Sequence, residues 1–137
     1  MRKFLAFSVL AALAPASALA AHVGVKFQRA ITGTSFHTLE KRCERVEDNG
    51  IDVTDGDFKV SMEDDFGEPY ALNVSYQLQG VANEEGLVVA TVKGGFLWGK
   101  LVKETVIVDT VARTGGYVDF FSKAHYEKYR IVLGNCE

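Results

Sequence analysis

The stretch from Gly95 to Phe121, GFLWGKLVKETVIVDTVARTGGYVDFF, constrains the fold more than any other part of the chain. Valine, isoleucine, threonine and aromatic residues fit a pleated, half-buried surface, and Gly94-Gly95 and Gly115-Gly116 supply the permissive backbone of tight reversals. A β-ribbon is therefore expected here, with strands over Phe96 to Val102 and Thr105 to Ala112. Gly99 marks a bulge site beside Trp98, and the return from Tyr117 to Phe121 would set Val111 opposite Phe120.

Upstream, Tyr70 to Gln79 alternates without a break: Tyr70, Leu72, Val74, Tyr76 and Leu78 on one side, Ala71, Asn73, Ser75, Gln77 and Gln79 on the other. That period of two predicts a strand with one buried face. Leu87 to Val92 is a nearly continuous apolar run, as in a strand covered on both faces. An Asp55-Gly56 hairpin would pair Val53 with Phe58 and Ile51 with Val60, whereas a turn at Asn49-Gly50 would oppose Glu47 and Asp52, so that dipeptide ends an element instead. Phe58, Met62 and Phe66 also lie four apart, which leaves a short helix open. Arg130 to Leu133 closes the pattern. Six to eight short strands with at most one or two short helices predict a mainly β chain, an antiparallel β-sandwich or barrel, with an α+β ribonuclease-like fold as the alternative.

The first twenty residues read as a secretory signal peptide. Arg2 and Lys3 open it, Phe4 to Leu13 is apolar but too short to anchor in a bilayer, and Pro15 precedes the small-residue site Ala18-Leu19-Ala20, with cleavage after Ala20. Removing it leaves 13 basic against 18 acidic residues, a net charge of −5. Such a balance disfavours a general nucleic-acid or anionic-membrane binder. What remains is one domain, exported and expected to be soluble, extracellular or alternatively periplasmic, without membrane insertion and monomeric. Cys43 and Cys136 are the two cysteines, and in an oxidising compartment they make one disulfide.

Residues 21–42 admit three readings. They end in Leu39-Glu40-Lys41-Arg42, immediately before Cys43, which resembles the dibasic site of kexin-type processing proteases and would make 21–42 a pro-segment ahead of a disulfide-closed β domain over 43–137. Cleavage after Arg42 would leave 9 basic and 17 acidic residues, net −8. Alternatively Phe36, Leu39, Cys43 and Val46 follow helical spacing, or Val23, Val25 and Phe27 form the inner side of a first strand with Lys26 and Gln28 outside.

Candidate chemistry is sparse. The acidic run Glu47, Asp48, Asp52, Asp55, Asp57, Glu63, Asp64, Asp65 and Glu68 has no EF-hand register at Gly50 or Gly56, and reads as a solvated face. No nucleophile elbow, metal-spaced histidine pair or phosphate-holding glycine loop occurs, so no catalytic residue, metal or cofactor is expected. Asn73-Val74-Ser75 is a candidate glycosylation sequon. Trp98 is a candidate ligand platform as well as a candidate core residue. Lys123, His125, Tyr126, Lys128 and Arg130 form the one polar, aromatic and basic cluster, suited to RNA or an acidic partner.

Together the signal peptide, the Lys41-Arg42 site, a cysteine near each end of the body and the strand-rich core resemble small secreted effectors of plant-pathogenic fungi. The segment Arg113-Thr114-Gly115-Gly116-Tyr117-Val118-Asp119-Phe120-Phe121-Ser122, with Cys136 after it, is similar to the end of the ribonuclease-like group. The disulfide and the strand-rich layout are similar to the MAX-type β-sandwiches. In active ribonucleases of the first group a catalytic histidine stands near the position of Phe121-Ser122, and here it does not. The resemblance implies a non-enzymatic virulence effector that binds a host macromolecule, a protein or RNA. The alternatives are a carrier of a small apolar ligand and a secreted ribonuclease-like enzyme.

Overall fold

The computed structural model describes residues 20–32, 34–63, 66–95, 101–122 and 127–137. Every regular element among them is a strand: β1 (Ala20–Ala30), β2 (Phe36–Glu47), β3 (Val53–Glu63), β4 (Pro69–Gly80), β5 (Leu87–Gly95), β6 (Val102–Asp109), β7 (Gly116–Ser122) and β8 (Glu127–Gly134). They form two four-stranded sheets, ordered β2-β1-β8-β7 and β3-β4-β5-β6. All pairings are antiparallel, and each joins strands consecutive in sequence except β1 with β8. The architecture is an all-β, sandwich-like fold with no helix among the described residues, so the α+β alternative is not the one adopted.

The core follows from the period of two. Val23, Val25 and Phe27 from β1, Val74, Tyr76 and Leu78 from β4, Val88, Ala90 and Val92 from β5, and Tyr129, Ile131 and Leu133 from β8 are each at most 1% exposed. Fully burying a side chain of the valine-to-phenylalanine size is worth about 1.5–3 kcal/mol, so these strands hold the two sheets together. At the centre Phe27 stacks on Phe58 at 5.2 Å and on Tyr129 at 5.6 Å between ring centroids. Leu87, Val89 and Thr91 on the outward side of β5 are half-buried and Lys93 is exposed, so this strand alternates, contrary to its reading as a strand covered on both faces.

Several expected elements fall elsewhere. Asp55-Gly56 is not a hairpin turn but the middle of β3, paired with Gln77 and Tyr76. The glycine is there because the Tyr76 ring and hydroxyl occupy the space a Cβ would fill. The helical spacing of Phe36, Leu39, Cys43 and Val46 yields a strand. A bulge sets Phe27 opposite Glu40 and Gln28 opposite Thr38, which leaves Leu39 as the extra residue and switches the inward side of β2. Phe58 and Met62 likewise lie in strand β3, and Phe66 is 90% exposed, so no apolar helical stripe forms. Asn49-Gly50 does end β2: the Asn49 side chain accepts hydrogen bonds from the Ile51 and Asp52 N–H groups at 2.8 and 2.9 Å, and Gly50 has φ +70°.

The ribbon is also rearranged. Gly94 and Gly95 are the last residues of β5, not a turn, and Gly94 lies against the Phe120 ring, 2.6 Å from where its Cβ would be. The second reversal precedes Gly115. Asp109 accepts hydrogen bonds from the Val111 and Ala112 N–H groups at 3.0 and 2.9 Å, Arg113 takes φ +62°, and Asp109 and Thr114 exchange backbone hydrogen bonds of 3.0 Å. An aspartate-centred turn thus forms ahead of the glycine pair. Phe120 consequently pairs with Tyr129 on β8, not with Val111. Residues 96–100, with Trp98 and Gly99, lie outside the described residues.

Candidate interaction surface

Alternation puts Val118, Phe120, Tyr129 and Ile131 inside and leaves Tyr117, Asp119, Phe121, Lys128 and Arg130 on the outer face of the β2-β1-β8-β7 sheet. The register sets Arg130 opposite Asp119. Arg130 donates to both carboxylate oxygens, Nε to Oδ1 at 2.7 Å and Nη2 to Oδ2 at 3.2 Å. Its guanidinium lies between two rings, 4.0 Å from the Phe36 centroid and 3.9 Å from that of Tyr117. Lys128 completes the group, 3.3 Å from Asp119 Oδ2 and 5.9 Å from the Phe36 ring. Burial would raise the Asp119 carboxyl, but the Arg130 and Lys128 cations outweigh it and hold the group below its ordinary value. The result is a flat strip of ring, cation and ring crossing the sheet from β2 to β7, with Tyr117 and Phe121 55% and 48% exposed.

On the same face the chain after β8 crosses β1. It passes over Gly24, where the Asn135 carbonyl takes the space of a side chain. The crossing brings Cys136 to Cys43 on β2, and the two are joined in a disulfide with Cα atoms 5.4 Å apart. Lys26 Nζ then lies 3.0 Å from Glu137 Oε1.

The dibasic pair is divided by the pleat. Lys41 is exposed opposite Lys26, while Arg42 turns inward opposite Val25. Its guanidinium stands 4.2 Å over the Phe58 ring, contacts Glu40 at 2.6 Å and donates to the Tyr76 hydroxyl at 3.3 Å. The Tyr76 O–H in turn donates to Glu44. Burial first, and then the Glu44 carboxylate, push the Tyr76 phenol up to about 12.

Of the residues singled out in the sequence, Cys43 and Cys136 are bonded, Ala20 begins β1, and Asn73 is exposed on β4 beside Ser75. Lys128 and Arg130 come together on one face, but through Asp119. Lys123, His125 and Tyr126 lie outside the described residues, as do residues 1–19 with the expected signal peptide. Sequence reasoning missed Phe36, Tyr117 and Asp119 as parts of the cluster. The one available signal was Tyr117, Asp119 and Phe121 alternating with Val118 and Phe120, which puts two aromatics on a surface. No family model matches the chain, and no curated protein or solved structure matches it.

Proposed function

We propose that the chain is an exported, non-enzymatic interaction protein, and that the outer face carrying Phe36, Tyr117, Phe121 and Arg130 docks a protein partner. The carrying observation is Arg130, fixed between Phe36 and Tyr117 and bonded through two nitrogens to Asp119. An arginine already oriented by stacking and hydrogen bonds loses little entropy on binding, and arginine and tyrosine are the side chains that dominate protein interfaces. A protein is favoured over RNA because Asp119 takes both cations of the strip, leaving little charge for phosphates. Side chains occupy the described space between the sheets, the Phe27 ring stack at its centre, which weighs against a carrier of apolar ligands.

Export rests on the basic, apolar and small-residue order of residues 1–20, and a disulfide is compatible with it. The reading as a virulence effector rests on the resemblance above. Residues 21–42 are read as part of the mature fold. Releasing them would remove β1, which pairs on both sides and buries Val23, Val25 and Phe27, and the core cannot lose three such side chains cheaply.

The test places a photo-crosslinking residue at Phe121 and, separately, at Gln77 on the other sheet, and exposes both proteins to extracts of the tissue that meets the native one. A defined protein adduct from position 121 alone, lost in a Tyr117→Ala background that melts like the parent, is the expected result. Adducts of equal yield from both positions, an RNA adduct, or turnover of RNA by the purified chain would overturn the reading.

A further inference from the structure

Among the described residues two pairs of lysines are set directly opposite each other on neighbouring strands, and the fold treats them differently. Lys26 faces Lys41 across β1 and β2. Lys93 faces Lys103 across β5 and β6. Like charges in such positions repel and destabilise the sheet. At the first pair Glu137 contacts Lys26 at 3.0 Å. At the second, neither lysine makes an ion pair among the described residues, although acidic side chains share the sheet face. The same ladder row runs Asp57, Ser75, Lys93, Lys103, which sets the carboxylate on β3, two strands away from Lys93.

The unneutralised pair borders a cleft of about 290 Å³ on the outer face of the β3-β4-β5-β6 sheet, with Ser75, Gln77, Thr91 and Asp55 in its lining. The cations thus occupy the β5-β6 end, and hydroxyl, amide and carboxylate groups continue from them toward β3. Two ammonium groups suit a doubly bonded oxyanion, and short neutral donors and acceptors suit hydroxyl groups. The geometry points to a second binding site, separate from the aromatic face, for the phosphate or sulfate ester of a sugar, its oxyanion held by Lys93 and Lys103 and its hydroxyls by Gln77, Ser75 and Thr91. A phosphate and a sulfate ester share this chemistry.

The full chain would be titrated with glucose 6-phosphate, glucose 6-sulfate, inorganic phosphate and glucose while amide chemical shifts are followed. Saturable shifts centred on Ser75, Thr91, Lys93 and Lys103 are expected with one or both esters, and the stronger ester identifies the source. Lys93→Gln and Lys103→Gln are each expected to weaken that binding at least tenfold, Gln77→Ala several-fold, and Lys26→Gln not at all. Without ligand, Lys103→Gln should melt above the parent because the repulsion is gone, and the ester should raise the melting temperature of the parent and of Lys26→Gln more than that of Lys103→Gln. Binding of glucose or of inorganic phosphate as tight as that of the esters would overturn the assignment. So would shifts that persist in both lysine variants, absence of saturable shifts, or a Lys103→Gln protein that melts below the parent.

Discussion

Two seams divide the strands into sheets, and they are closed by different means. Between β6 and β7 the closure is backbone: Asp109 and Thr114 exchange N–H to carbonyl bonds across a turn. Between β2 and β3 the connections are made by side chains. Thr54 Oγ1 donates to the Arg45 carbonyl at 3.0 Å, and Tyr76, from the second strand of its sheet, reaches across Gly56 on β3 to meet Arg42 and Glu44 on β2. A backbone closure tolerates many sequences, whereas a side-chain closure depends on a few residue identities. Substitutions should therefore open the β2-β3 seam more readily than the β6-β7 seam.

The largest effect should come from the covalent tie to β2, since Cys43 is held on the side-chain seam's strand and the other seam has no equivalent. Replacing Cys43 and Cys136 together by serine is expected to cost about 4.6 kcal/mol by the chain-entropy relation for a loop of this length, read by denaturant unfolding. Gly56→Ala comes next: the new methyl displaces the Tyr76 ring and breaks its hydrogen bonds, for about 3 kcal/mol. Tyr76→Phe keeps the ring and removes the hydroxyl between Arg42 and Glu44, for about 1.5 kcal/mol. Its signature is faster amide exchange in β2 with β6 and β7 unchanged. Across the molecule, Asp109→Ala removes the acceptor of two N–H groups but not the Asp109–Thr114 backbone bonds, so about 1 kcal/mol is expected, with faster exchange confined to the turn.

A further effect appears only in alkali. An unfolded tyrosine loses its proton near pH 10, whereas Tyr76 in the fold retains it to about pH 12. The unfolded chain therefore binds fewer protons in that interval, and stability falls as pH rises. The contribution is complete below about pH 10 and is lost by about 12. Unfolding midpoints across that interval should drop less steeply in Tyr76→Phe than in the parent; equal slopes would remove the hydroxyl from the seam.

What the sequence disclosed depended on whether a signal was local. Strand β4 was legible because Val74, Tyr76 and Leu78 alternate with polar residues, and the disulfide because two cysteines leave one pairing. Strand β2 was obscured by its bulge at Leu39 and by the inward-facing charges of Arg42 and Glu44, which partner a tyrosine more than thirty residues away. Asp55-Gly56 has the composition of a turn, yet its glycine answers to Tyr76 on the next strand. The aromatic strip was least legible. Phe36, Tyr117 and Arg130 become neighbours only when β1 and β8 lie between β2 and β7, and single-strand periodicity carries no information about that order.

That order has a consequence for how the chain can be rewired. Since β8 lies beside β1, the strands follow one another around a closed circuit, and each pairing except this last joins neighbours in sequence. Hairpins can form locally, and the β1-β8 pairing must wait until both ends of the chain have been gathered. The Cys43–Cys136 bond spans 93 residues and crosses β1 from the end of β8, so it fastens the junction with the highest closing entropy. A circular permutant that fuses the ends and opens the chain between β2 and β3, which are consecutive but not paired, would turn that slow junction into a local hairpin without making another pairing long-range, and should fold faster while leaving both sheets intact.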